Sequence, residues 1–288
     1  MALHIGTCSW KYDSWEGIVY PKQKNYNYLE EYAKHFDTVE VDQWFWSLFG
    51  VDKVKLPEPE VVREYVNSVP ETFTFGVKVP NSITLTHFYP HNRSRFEPME
   101  KNPYFFSIDL FNQFLETMEP LGKQIELMMF EFEYLNLQKM KSQKEFLTRF
   151  EEFIKPCSHR YRYAVETRNP NYLNEKYFEF LNRNGLYHVF VQGYYMPPIK
   201  AIYDRYSRFI KDRVAIRLMG PDRAAIEKKT RKRWDSIMDP KDAELEEIIQ
   251  IIRDLEEREI DIFLYINNHY EGSAPLTIEK IKRRLRYP

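Results

Sequence analysis

The sequence predicts an α/β fold, a (β/α)₈ TIM-like barrel that forms a single domain over residues 1–288. Three observations predict it. Eight short apolar segments with strand character alternate with helical segments, and such alternation is typical of a parallel sheet with crossover helices. The chain length agrees with the roughly 250 residues that one closed barrel needs. Charged residues also recur where the strands end, which is where barrel enzymes carry their chemistry.

The predicted strands are short runs rich in β-branched and aromatic residues. Side chains along a strand alternate between two faces, so Glu166 and Arg168 share one face while Val165 and Thr167 share the other. In a barrel the aliphatic face packs on the helices, and the face with small and charged residues points to the axis. The predicted strands are residues 3–9, 38–44, 73–79, 125–132, 162–167, 187–192, 213–218 and 261–267.

Helix starts are marked by capping residues. Asn174 precedes a helical pattern as an N-cap, and Ser142 with Glu145 fits the capping box. Ser273 is placed to begin the last helix. The longest irregular stretch, at about residues 80–103, is of the length that usually belongs to functional lids or disordered loops.

Composition narrows the class of protein. Hydrophobic residues make up 43% and charged residues 30%, which is ordinary for a soluble globular protein with a large core. The formal net charge is −1, so no global field attracts nucleic acid or acidic membranes. We find no leader segment at the N-terminus and no apolar run of about 18 residues, and hence expect no membrane association. Cys8 and Cys157 form no disulfide framework, so we expect a cytoplasmic protein.

Several short motifs follow one another in a recognisable order. They lie at residues 5–7, 15–17, 20–21, 39–42, 77–80, 86–87, 164–168, 217–220, 265–268 and 272–274. Together they resemble the YecE-like family, the domain of unknown function 72, over essentially the whole chain. The resemblance implies a TIM-like barrel with polar residues at its C-terminal face, and it implies no established reaction. The sequence departs from the family pattern at Asp42-Gln43, Trp46, Glu131, Glu133 and Met219, the last standing where a histidine is usual.

Five ionisable residues at strand ends are the predicted catalytic group. Glu166 and Glu40 are the acid/base candidates, and Lys78, Arg168 and Arg217 are expected to stabilise charge. So many ionisable groups on one face favour a functional site. The alternative is a charge-balanced network that fills the mouth of the barrel and fixes the strand register.

A second set of residues is predicted to bind substrate. Trp10, Trp15 and Tyr195 lie where strands end and are suited to stacking on sugar rings or exposed bases. Asn267 and His87 are expected to orient the substrate. The predicted set is completed by Asp42, Glu131 and Asn268.

Phosphate binding is expected at the start of the last helix. Phosphate in such barrels often sits beside the loops after strands seven and eight and a helix N-terminus. Gly272 and Ser273 open that helix with free backbone N–H groups, and Arg217 is the expected partner. Further basic residues at 223–233 are read as a solvated face that the acidic segment 242–247 balances.

No cofactor is predicted, because the sequence has neither a Gly-rich dinucleotide fingerprint nor a P-loop. A metal held by dispersed histidine and glutamate residues stays an alternative. A glycosidase pair such as Glu131 with Glu166 is another.

The sequence thus predicts an enzyme that acts on a polar, phosphorylated or sugar-like small molecule by acid/base chemistry. The alternative from another class is a non-catalytic binder of nucleic acid or of a phosphorylated ligand. Both an enzyme and a binding protein are therefore kept as hypotheses.

Overall fold

The computed structural model describes residues 2–22, 25–50, 53–89, 99–157 and 160–286. Within these ranges the strands are β1 (Leu3–Cys8), β2 (Thr38–Val41), β3 (Leu48–Gly50), β4 (Lys53–Val54), β5 (Thr74–Lys78), β6 (Ile125–Phe132), β7 (Tyr163–Thr167), β8 (Tyr187–Gly193), β9 (Arg213–Gly220) and β10 (Asp261–Ile266). Eight parallel strands close a barrel in the order β1-β10-β9-β8-β7-β6-β5-β2, and β3 and β4 form a separate antiparallel hairpin. The predicted single-domain (β/α)₈ barrel is confirmed.

Helices surround the barrel, and side-chain caps begin several of them. Ser142 accepts a hydrogen bond from the Glu145 backbone N–H at 3.1 Å, and Asn174 caps the next helix. No helix in the described part of the chain is long and apolar enough to cross a membrane. The helices are α1 (Tyr28–Tyr32), α2 (Pro59–Asn67), α3 (Asn81–Thr84), α4 (Ile108–Thr117), α5 (Gln143–Ile154), α6 (Glu175–Arg183), α7 (Ile199–Tyr206), α8 (Arg223–Thr230), α9 (Asp242–Glu257) and α10 (Ala274–Leu285).

The two faces of the strands form two separate apolar clusters, as the predicted alternation requires. The larger cluster joins the outward strand residues to the helices. The smaller one fills the barrel interior. Gly76 is needed there, because a Cβ at this position would lie 2.5 Å from the Tyr265 hydroxyl. The interior cluster consists of Cys8, Leu127, Met129, Ala164, Val189, Val191, Ala215, Met219, Phe263 and Tyr265.

Most predicted strand boundaries lie within two residues of the observed ones, and two predictions differ more. The strand predicted at 38–44 ends at Val41, because the chain turns into a 3₁₀ helix at Gln43–Phe45. The stretch 80–103 is more ordered than expected, since it contains α3 and an antiparallel bridge between His87 and Lys101. Residues 90–98 of that stretch lie outside the described ranges.

Candidate functional site

Arg217 on β9 is the centre of the charged residues at the mouth of the barrel. Its side chain is 2% exposed, and it donates two hydrogen bonds of 2.7 Å to the two carboxylate oxygens of Glu40 on β2. Its Nη1 contacts Glu131 Oε2 at 2.9 Å and also binds Glu166 Oε2. One buried guanidinium thus holds carboxylates from three different strands, which agrees with the predicted convergence of strand ends.

Two further cations complete this network. Lys78 on β5 contacts Glu131 Oε2 at 2.9 Å, and its ammonium group lies 3.8 Å from the centre of the Phe45 ring. Arg168 forms an ion pair with Glu166 Oε1. We call these six residues the Arg217 cluster: Glu40, Lys78, Glu131, Glu166, Arg168 and Arg217.

Glu131 lies in the most cationic position of the Arg217 cluster. Burial by itself raises the pKa of Glu131, but the charges of Lys78, Arg168 and Arg217 outweigh it. The pKa therefore lies well below its ordinary value. Since the contacts of all three cations are with Oε2, Glu131 is an ionised carboxylate anchored through one oxygen.

Two other carboxyl groups at the mouth have the opposite character. Burial, followed by repulsion from Glu40, raises the pKa of Asp42. Burial also raises the pKa of Glu133, although Lys139, which binds Glu133 Oε2, opposes it. Carboxyl groups with unlike proton affinity therefore lie around one opening.

Above the Arg217 cluster lies a cavity of about 660 Å³, which we call the mouth cavity. Its volume is in the range of small-molecule sites. Aromatic rings form much of its wall, and charged groups form its base. The lining residues are Tyr12, Asp42, Phe45, Trp46, Lys78, Tyr89, Glu131, Glu133, Tyr134, Arg168, Pro170, Tyr194, Tyr195, Arg217, Met219, Arg223, Asn267 and His269.

The predicted acid/base pair does not line this cavity, and that assignment is corrected. Glu40 and Glu166 are 0% and 1% exposed. Both oxygens of Glu40 bind Arg217, while those of Glu166 are divided between Arg217 and Arg168. A carboxylate held on both oxygens beneath the cavity base positions its neighbours rather than reaching a substrate. Lys78, Arg168 and Arg217 do line the cavity, as predicted.

The aromatic rim also differs in part from the prediction. Trp10 and Trp15 are 4% and 0% exposed and belong to the apolar core, so stacking on a ligand is corrected to core packing for both. Tyr195 lies at the rim with 93% exposure. Trp46 and Tyr89, which were not selected from the sequence, line the cavity with their rings 6.3 Å apart.

The expected phosphate site at the start of α10 is closed. Gly272 and Ser273 are buried, and a Cβ on Gly272 would lie 2.7 Å from the Ser236 carbonyl oxygen. The segment before α9 thus covers this helix end. Asn268 takes the role of the cap, because its Oδ1 accepts the hydrogen bond of the Ala274 N–H at 2.9 Å. The predicted anion site at Gly272 and Ser273 is therefore corrected to a buried structural joint.

Of the remaining predicted residues, Asp42, Glu131 and Asn267 line the mouth cavity. Asn267 also accepts a hydrogen bond from the His269 N–H at 2.9 Å. His87 lies elsewhere, in a neighbouring cleft. Its expected role beside Asn267 is corrected accordingly.

Residues that the sequence reasoning did not select include Tyr12, Tyr194 and His269. Tyr194 packs under Arg168, whose guanidinium lies 4.5 Å from the ring centre. Burial, followed by the charge of Arg223, lowers the pKa of His269 to about 4. These residues come from loops, where no periodic pattern marks them. Within the described ranges, no three His, Cys, Asp or Glu side chains are grouped as metal ligands.

Comparison with known proteins places the chain in a family. Residues 4–288 match the family described as protein of unknown function DUF72. A DUF72 family protein from Enterococcus faecalis has a crystal structure similar to this one with a TM-score of 0.68, at 20% identity over 100% of this chain and 96% of that chain. One from Thermotoga maritima also gives 0.68, at 20% identity over 99% and 100%. No curated protein matches the sequence. The chain belongs to the DUF72 family, as the order of its motifs predicted.

Proposed function

We propose that this protein is an enzyme that performs acid/base chemistry on an uncharged, sugar-like substrate in the mouth cavity. One observation carries the proposal. Glu131, with a lowered pKa, and Asp42, with a raised pKa, line the same cavity. Pairs of carboxyl groups whose environments separate their pKa values are the usual basis for a division into proton donor and ionised partner.

The two carboxyl groups differ in what they are suited to do. Asp42 keeps a proton more readily than an aspartic acid in water, so it is the candidate general acid. Glu131 stays ionised and stabilises positive charge that develops on the substrate. Glu40 and Glu166 act through Arg217, which they hold in place.

The pairing of the cations favours an uncharged substrate over a phosphorylated one. In the described part of the chain, Arg217 is bound by three carboxylates, Lys78 by Glu131 and Arg168 by Glu166. The fourth lining cation, Arg223, lies 2.6 Å from a Glu227 oxygen. A phosphate group entering the cavity would have to displace these carboxylates from their partners, whereas a hydroxylated ring needs only hydrogen bonds and aromatic faces.

The aromatic wall supports the same substrate class. Trp46, Tyr134 and Tyr195 are 55%, 57% and 93% exposed at the rim. Flat amphipathic rings of this kind present an apolar face together with a polar edge, which suits the two kinds of surface on a sugar. We also propose a cytoplasmic location, on the ground of the two unpaired cysteines, Cys8 and Cys157.

The experiment is a screen of neutral monosaccharides, oligosaccharides and aryl glycosides, with saturation-transfer NMR for binding and product release for turnover. We expect Asp42→Asn to keep binding and to lose turnover by about 10²–10⁴-fold. Glu126→Gln is the control for the loss of a carboxylate outside the mouth cavity. Glu126 lies on the same strand as Glu131, but it pairs with Arg213. It should leave both readouts unchanged.

Two results would overturn the proposal. One is that no neutral sugar or glycoside binds to the wild-type protein. The other is tight binding of an oligonucleotide that weakens steeply with salt, which would instead support a non-catalytic nucleic-acid binder.

A further inference from the structure

A second cleft, of about 340 Å³, lies beside the mouth cavity. We call it the side cleft. One wall is the bridge between His87 and Lys101, and the opposite wall is the loop after β6 together with the first turns of α5. Its lining residues are Thr86, His87, Lys101, Asn102, Pro103, Phe105, Leu137, Gln138, Lys139, Met140, Lys141, Glu145 and Arg149.

The side cleft has an excess of positive charge. Among the described residues that line it, four are cationic and one, Glu145, is a carboxylate. That carboxylate lies 3.8 Å from the Arg149 guanidinium, while Lys139 binds Glu133. Within the described residues, Lys101 and Lys141 form no ion pair. The four cations are Lys101, Lys139, Lys141 and Arg149.

The walls of the side cleft are held by hydrogen bonds within the chain. Asn102 donates from Nδ2 to the carbonyl oxygens of Ser82 and Leu85 at 2.7 and 2.6 Å, and its backbone N–H bonds the Thr86 carbonyl at 3.0 Å. The opposite wall includes the capped N-terminus of α5, where the helix dipole is positive. The excess charge is therefore built on an ordered frame.

His87, which is buried, lines the same cleft. Burial, followed by the charges of Lys139 and Lys101, lowers the pKa of His87. Lys101 and Lys139 line the side cleft together with His87, from opposite walls. Like charges brought together in this way repel each other, and an anion between them would relieve the repulsion.

We propose that the side cleft binds a small oxyanion of the phosphate class, with Lys101 and Lys141 as its main partners. The proposal does not depend on the function assigned to the mouth cavity. It differs from the anion site expected from the sequence, because it lies at the loop after β6 and not at the start of α10. The anion is either free or the end group of a larger molecule.

Titration calorimetry with inorganic pyrophosphate tests the proposal. The Lys101→Gln/Lys141→Gln variant should bind at least about tenfold more weakly than the wild-type protein. The matched control is Lys144→Gln/Lys155→Gln, which removes the same charge from α5 and from the residue that follows it, outside the cleft. Its affinity should stay within about twofold. Circular dichroism verifies that both variants are folded.

The source of the anion is resolved by chemical-shift mapping on the wild-type protein. Pyrophosphate should shift the signals of His87 and Lys101 and leave Trp46 and Asp42 unchanged. A hexose phosphate that shifts all four would show one ligand spanning both cavities. Absence of pyrophosphate binding in the millimolar range, or equal weakening in the control variant, would show that the lysines are only a solvated surface. Either result leaves the sugar-binding test of the mouth cavity unaffected.

Discussion

Replacing Arg217 by methionine tests the energetic role of the Arg217 cluster. Arg217 is buried, and its two 2.7 Å bonds to Glu40 are joined by contacts with Glu131 and Glu166. Methionine keeps part of the aliphatic volume but leaves three carboxylates with two cations. Since breaking a buried ion pair costs about 3–5 kcal/mol, we expect the free energy of unfolding to fall by that amount at about pH 8.

The penalty should become smaller as the pH falls. In the Arg217→Met protein the crowded carboxylates bind a proton in the folded state at a pH where the unfolded chain stays ionised. The free energy of unfolding then rises as pH decreases, relative to the wild-type protein. Between about pH 8 and about pH 5.5 the difference should narrow by at least about 1 kcal/mol.

Urea unfolding, followed by circular dichroism and tryptophan fluorescence, measures both effects. Arg213→Met is the matched control, because Arg213 lies on the same strand, at the opposite end of the barrel. It bonds Glu126 at 2.8 Å and Asp261 at 3.3 Å, and these partners are 24% and 30% exposed. Its loss should be about 1 kcal/mol without a change over this pH range. If Arg217→Met costs no more than the control, or if its penalty does not vary with pH, the reasoning fails.

Three further predictions concern stability. Trp15→Ala should cost about 3–5 kcal/mol, because the side chain is fully buried, while Trp46→Ala, 55% exposed, should change stability by less than about 0.5 kcal/mol in thermal or urea unfolding. Gly76→Ala should cost about 1–3 kcal/mol, since the new methyl group meets the Tyr265 hydroxyl at 2.5 Å; unchanged urea midpoints would contradict this close packing. Burial lowers the pKa of His188 to about 3, so its imidazole should stay neutral by NMR at about pH 5, and its contribution to stability should be lost as pH falls from about 6.5 towards 3.

The strand phases explain why the sequence predicted the composition of the Arg217 cluster. A period of two fixes which face each side chain takes, and parallel strands bring their carboxyl ends to one rim. Glu40, Glu166 and Arg217 are for this reason neighbours in the structure. The pattern within one strand does not indicate which carboxylate binds the Arg217 guanidinium through both oxygens. That pairing depends on the register between strands. The register also determines that Asp42 and Glu131 face the cavity.

Contacts between distant segments account for the other corrections. The start of α10 has the residues of an open anion site, but Met238 and Asp239 donate backbone hydrogen bonds of 2.7 and 3.0 Å to the Glu271 carbonyl oxygen and close it. Trp10 is similarly hidden, with its ring 5.1 Å from Tyr65 of α2. Neither contact leaves a periodic signal in the sequence. The excess charge of the side cleft likewise emerges only when residues far apart in the chain are placed together.

The packed interior of the barrel determines by which side a ligand can enter and leave the mouth cavity. Beneath Arg217 the barrel axis is filled by apolar side chains. The Tyr265 hydroxyl packs so closely on Gly76 that a Cβ at Gly76 would lie 2.5 Å from it. The described residues leave no opening from the mouth cavity through the barrel interior, so a bound molecule enters and leaves on the same side. For the enzyme proposed above, substrate and product would share this one opening, so we expect the product to inhibit competitively. A long polymer would reach the charged groups at the base only with an end or an exposed bend.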